Sequence, residues 1–167
     1  MSMMDEVSPA ESRRNVVTLP GAGRREAVLG VNQTYLLEEQ RSGGTLTCVE
    51  LTVPPGQGVP PHTHHLEDET FYVLDGTVEI TGDDLPAPIL LAVGGLFHGP
   101  RGRMHGFRNA GQTPTRLLVF ATPGGNLQKM FGELADLTSH SEGMPSPQRV
   151  VELCARYNIF FAPPPAD

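Results

Sequence analysis

Between Val28 and Thr122 the chain alternates short apolar, β-branched runs with glycine and proline turns, and this rhythm restricts the fold more than any other feature. "TLTCVELTV" (45–53) reads as a strand and stops at Pro54-Pro55-Gly56, which cannot continue a central strand. "ETFYVL" and "TVEITG" are strand-like runs joined by Asp75-Gly76, a pair that tolerates positive φ and predicts a hairpin. "ILLAV" (89–93) closes at Gly94-Gly95, and "MHGFRN" and "RLLVFAT" flank the turn "AGQTP". Roughly seven to ten short strands at this spacing predict an all-β sandwich or barrel. The 19 glycines and 16 prolines agree with a turn-rich chain.

The pattern changes on either side. Residues 1–27 are polar and read as an N-terminal arm, with "NVVTL" as a short strand. After Pro123-Gly124-Gly125, Leu127, Met130, Phe131, Leu134 and Leu137 form a helical stripe, with Asn126 as its cap. Ser146-Pro147 starts a second helix whose apolar side is Val150, Val151, Cys154 and Tyr157. "NIFFAPPPAD" reads as an extended tail. The division is therefore an arm (1–27), a β core (28–122) and a helical extension (123–167) that packs outside the core or closes one mouth. Cys48 and Cys154 read as reduced, packed thiols.

A net charge of −7 with Lys129 as the only lysine argues against a nucleic-acid partner. No segment is apolar over a length that spans a bilayer, and the polar N-terminus shows no signal-peptide core, so a cytoplasmic protein is expected.

The titratable chemistry is concentrated in "PPHTHHLEDETFYVLDG" (60–76). His62 and His64 share one face of a strand. Glu69 shares a face with Phe71 and Val73, so it enters an apolar space, where a lone carboxylate is costly to bury. A cation held jointly with imidazoles removes that cost. His105 alternates with Phe107 further along and is a fourth candidate. Three imidazoles and one carboxylate suit one divalent transition metal, Fe, Mn, Co, Ni, Cu or Zn, and leave positions open on an octahedral ion. Glu67 and Asp68 read as a solvated acidic turn, His65 as outward-facing, His98 as a residue ahead of Pro100 with a role beside the site as its alternative, and Arg101, Arg103 and Arg108 as loop-surface residues. Phe71, Val73, Met104, Phe107 and Phe120 are the expected walls of a substrate pocket.

Two spaced patterns give these residues a family resemblance. Gly56, His62, His64, Glu69 and Gly76 resemble the first cupin motif, and Gly94, Pro100, Gly102, His105 and Asn109 the second. The resemblance implies a double-stranded β-helix, a jelly-roll-like barrel, with His62, His64, Glu69 and His105 as metal ligands inside it. The segment "HTHHLEDETFYVLDG" is further similar to single-cupin quercetinase-type (flavonol 2,4-dioxygenase) proteins. That similarity implies a dioxygenase that uses dioxygen to cleave a carbon–carbon bond in an aromatic or enolisable small molecule. Glu69 is then both ligand and proton acceptor, with a pKa raised by its apolar pocket. A cupin isomerase, cyclase or lyase with the metal as Lewis acid, and a non-enzymatic small-molecule binder, are the alternatives. Homodimerisation through open sheet edges is expected by the same resemblance.

Overall fold

Alternation along each strand sorts side chains between a shared interior and solvent. In β10 (Thr115–Thr122), Thr115, Leu117, Val119 and Ala121 are buried while the residues between them face outward. The same period runs through β3 (Thr47–Val53) and β5 (Asp68–Asp75), and the inward sets meet in one core containing Val49, Leu51, Val53, Phe71, Val73, Leu117 and Val119. The computed structural model that shows this describes residues 14–163.

Two antiparallel sheets face each other across this core. The first has the order β1 (Arg24–Val28), β2 (Val31–Leu37), β3, β10, β5, β8 (Leu96–Gly99). The second has the order β11 (Ile159–Phe161), β4 (Gly58–His64), β9 (Met104–Arg108), β6 (Thr77–Gly82), β7 (Ile89–Ala92). The architecture is a cupin double-stranded β-helix followed by two helices, as expected, but the sheets are not closed into a barrel. Connections that cross from one sheet to the other take the place of a continuous ladder.

Asp75-Gly76 is one such connection, and here the expected hairpin does not form. β5 pairs with β10 and β8, whereas β6 pairs with β7 and β9. The turn carries the chain between sheets instead of folding two strands onto each other. Gly76 has φ +75°, and a Cβ there would lie 2.8 Å from Thr115 Oγ1, so the crossing demands glycine.

At the N-terminal end, β1 begins at Arg24, and residues 15–19 pair with no strand; Thr18 Oγ1 donates to the Leu36 carbonyl at 2.6 Å. The rest of the expected arm, residues 1–13, lies outside the described residues.

The helical extension packs as a second apolar layer. In α1 (Gly125–Ser139), Leu127, Met130 and Leu134 are buried. In α2 (Pro147–Arg156), capped by Ser146 Oγ accepting from the Arg149 amide, Leu153 and Cys154 are buried while Val151 faces solvent. Together with Val28, Ala121 and Ile159 they make a cluster of their own beside the main core. The tail is more than an extended end: Ile159–Phe161 forms β11 on the open edge of β4. Cys48 and Cys154 are buried free thiols. Among the described residues no helix is long and apolar enough to cross a membrane.

Candidate metal centre

The four residues singled out by spacing come together from both sheets. His62 and His64 lie on β4, His105 on the neighbouring β9 directly opposite His62, and Glu69 on β5 of the facing sheet. All four are buried, and their ligand atoms lie within 4.8 Å of one another. Glu69 Oε2 is 3.0 Å from His105 Nε2, 3.1 Å from His64 Nε2 and 4.0 Å from His62 Nε2. His62 Nε2 and His64 Nε2 are 3.0 Å apart. Three Nε2 atoms and one carboxylate oxygen thus converge.

The far sides of two rings are anchored. His62 Nδ1 donates to the Pro60 carbonyl at 2.8 Å, which leaves its Nε2 lone pair turned inward. His64 Nδ1 is 2.8 Å from Glu67 Oε1. His105 Nδ1 is buried without a hydrogen-bond partner, and Gly99 makes room for that ring: a Cβ on Gly99 would lie 2.8 Å from His105 Nδ1. This donor set fits a single divalent ion of the borderline class, because imidazole nitrogens suit such an ion, two of the rings are held in place at Nδ1 and the carboxylate offsets part of its charge.

Without an ion the cluster polarises itself. Burial lowers His62 to about 4, outweighing Glu69, so this ring is neutral. Burial also works against a charged His64, but Glu69 and Glu67 together raise it to about 10. Burial pushes Glu69 up, yet the His64 charge and the hydrogen bonds from His105 and His64 hold it well below the usual carboxylate range. The expected rise in the Glu69 pKa is therefore corrected. Its imidazole neighbours outweigh its apolar walls.

Glu67 is the residue that the sequence reading misplaced. It is 0% exposed, not part of a solvated turn. Besides His64 it accepts from Asn126 Nδ2 at 3.0 Å, and Asn126 Nδ2 also donates to the Tyr157 carbonyl at 2.7 Å. Asn126 therefore does not cap α1, whose first residue is Gly125; it ties both ends of the helical extension to a histidine of the cluster. Asp68, in contrast, faces outward and pairs with Arg101 at 3.0 Å. His65 is exposed as expected, beside the Phe160 ring, and His98 is exposed too, its Nδ1 2.9 Å from Thr70 Oγ1. Arg103 and Arg108 sit near Asp83 and Glu79 on the surface.

The cluster opens on an apolar cavity of about 100 Å³. His62, His64 and Glu69 line one side, Val31, Leu51, Val59 and Phe107 the walls, and α1, α2 and β11 the roof through residues such as Met130, Phe131 and Phe161. Of the expected pocket walls only Phe107 lines this space. Phe71 and Val73 are fully buried in the core, Phe71 against Phe97 and Phe107. Met104 and Phe120 fall on the alternate face of their strands, out of phase with His105 and with Val119, so they point away from the interior. The roof residues could not be assigned from local pattern, because which helix face meets the β core depends on contacts distant in sequence.

Comparison with known proteins agrees with this geometry. Residues 49–121 match the family model described as the cupin domain. The matched segment is similar to that domain and contains β4, β5 and β9, the three strands that carry His62, His64, Glu69 and His105. Protein SchB of Streptomyces halstedii is 35% identical over 71 residues, 42% of this chain and 50% of that protein. Among solved structures, a predicted oxalate decarboxylase from Thermotoga maritima shares 22% identity with a TM-score of 0.56, over 65% of this chain and 98% of that one. The polyketide cyclase RemF from Streptomyces resistomycificus shares 23% identity with a TM-score of 0.55, over 66% and 80%. At these identities the structural likeness bears on fold alone. The chain spans half or less of the length of the curated relatives it matches.

Proposed function

We propose that the chain is a metal-dependent enzyme acting on a compact, largely apolar molecule that presents an enol, phenol or 1,3-dicarbonyl oxygen. The observation that carries this reading is the buried cluster of three imidazoles and one carboxylate at the side of a roofed apolar cavity. His62, His64, Glu69 and His105 are the residues that would hold one divalent transition ion. Such an ion supplies Lewis acidity toward a substrate oxygen and open positions for it.

The chain's own groups do the rest. Pro60 and Glu67 keep two imidazoles in orientation. Val31, Leu51, Val59 and Phe107 exclude water and favour a flat apolar body over a sugar. Glu69 is a carboxylate at neutral pH; held below its usual range it is a weak base, and it would take a proton only from an enol or phenol hydroxyl that such an ion has acidified. Size restricts the guest further. A cavity of roughly 150 Å³ takes up benzene, so the cavity of about 100 Å³ here is tight even for one ring or a short diketone, and a flavonol enters only with α1 and α2 displaced.

Within this class, cleavage of a carbon–carbon bond by dioxygen is the first reading. The deprotonated substrate reacts with dioxygen, the bond next to the enol carbon breaks, and both oxygen atoms finish in the products. The second reading is cyclisation, isomerisation or elimination with no oxidant, which the same apolar cavity would shield from water. One fold neighbour is a polyketide cyclase.

The test is to screen metal-loaded protein against 1,3-diketones, catechols and flavonols with an oxygen electrode, and again under argon. Oxygen uptake matched to substrate loss supports the dioxygenase. Turnover retained under argon selects the second reading. Bound metal with no conversion of any compound overturns the enzyme and leaves a binding protein.

A further inference from the structure

Gln33 lies on β2 between the buried Val31 and Tyr35, on the strand face that looks into the interior. It is 4% exposed and lines the same cavity as His62, His64 and Glu69. Its Oε1 is buried and has no hydrogen-bond partner among the described residues. An amide left in that state is costly, while a leucine or methionine of similar size would pack against Val31, Leu51 and Phe107 at no such cost. Beyond the metal cluster, the remaining side chains lining the cavity are apolar apart from the Cys154 thiol.

We propose that Gln33 is the second polar anchor of the cavity, taking a hydrogen bond from the hydroxyl of a guest whose other oxygen lies at the metal cluster. This deepens the function proposed above and rests on it for the metal end alone. The ligand class follows: an apolar ring or short chain carrying two oxygen functions, one for the ion and one for the amide. Because the amide offers an acceptor and donors on one planar head, turning it over lets it serve a carbonyl equally. Gln33 is a positioning residue. It fixes which way the guest lies and so which carbon faces the reacting centre.

The experiment compares phenol with catechol, resorcinol and hydroquinone by titration calorimetry on metal-loaded protein, for the wild type and for Gln33→Leu. One of the diols is expected to bind the wild type about tenfold more tightly than phenol, the worth of one buried hydrogen bond. Gln33→Leu brings that ratio to about one while metal content and phenol affinity stay unchanged. A diol preference that survives Gln33→Leu, or no preference in the wild type, overturns the proposal. A second measurement does not depend on the metal. Thermal unfolding of the ion-free, ligand-free protein should shift upward by a few degrees in Gln33→Leu, because an unpaired buried amide has been removed. A downward shift overturns the proposal by showing that the amide is paired within the fold. Failure of the wild type to retain metal counts against the metal reading, and the unfolding measurement still decides Gln33.

Discussion

Glu67 shows how a single residue connects the buried histidine–glutamate cluster to the rest of the chain. Its two oxygens receive His64 from one side and Asn126 from the other, in complete burial. Partners of this kind typically govern metal affinity by about 10–100-fold. Glu67→Gln is therefore expected to weaken metal binding by that factor with the fold retained, as read by competition with a chelator; unchanged affinity would remove Glu67 from the cluster's support. His64 provides a second prediction. Raised to about 10, it is protonated through neutral pH in the ion-free protein. Its charge stabilises the ion-free fold below the ordinary histidine pKa near 6.5, and that contribution is lost as pH rises through about 10. An ion must displace this proton, so apparent affinity should climb about tenfold per pH unit between pH 7 and 9, where an unperturbed imidazole gives a flat profile. Calorimetry in buffers of different ionisation enthalpy should count about one proton released per ion at pH 7.5. No release contradicts the charged state assigned to His64. The four cluster residues were legible in the sequence because strand alternation and motif spacing act locally. Glu67 was not, because its burial depends on Asn126, 59 positions away.

At the scale of elements, the strands were legible and their partners were not. Period-two burial located β3, β5 and β10 well, yet the same local signals suggested that Asp75-Gly76 folds a hairpin. A turn dipeptide specifies a reversal of direction. Which sheet each flanking strand joins is decided by long-range pairing, here Val73 with Leu117 and Ile80 with Phe107. β11 was missed for a related reason: three residues carry little pattern, and they become a strand only because the edge of β4 is free to pair. The helical extension gains its position from close backbone contacts. Gly124 joins β10 to α1, and a Cβ there would lie 2.3 Å from Thr47 N and Thr47 Oγ1. Gly124→Ala should destabilise the protein by about 3 kcal/mol, the upper part of the usual overpacking range, measured by urea unfolding. An unaltered midpoint would mean that α1 can shift without cost. On the buried face of the same helix, Leu134→Ala should cost about 2–5 kcal/mol.

Considered as one molecule, the protein divides its work between layers. The two sheets supply the ligands from opposite sides, so the cluster exists only when both are assembled. The helices and β11 roof the cavity beside it, and their apolar cluster takes in Val28 of β1 and Ala121 of β10. The sequence pointed to a fold with metal-ligand residues inside it, whereas the roof and the true cavity walls emerge only from how distant segments meet. All of this turns on a single ion shared by four side chains. Elemental analysis of protein purified with supplemented transition metals, alongside His64→Ala, tests that directly. One transition ion per chain in the wild type, lost in a variant that keeps its circular dichroism, is the predicted result. A wild type that retains no metal, or a variant that retains as much as the wild type, would contradict it.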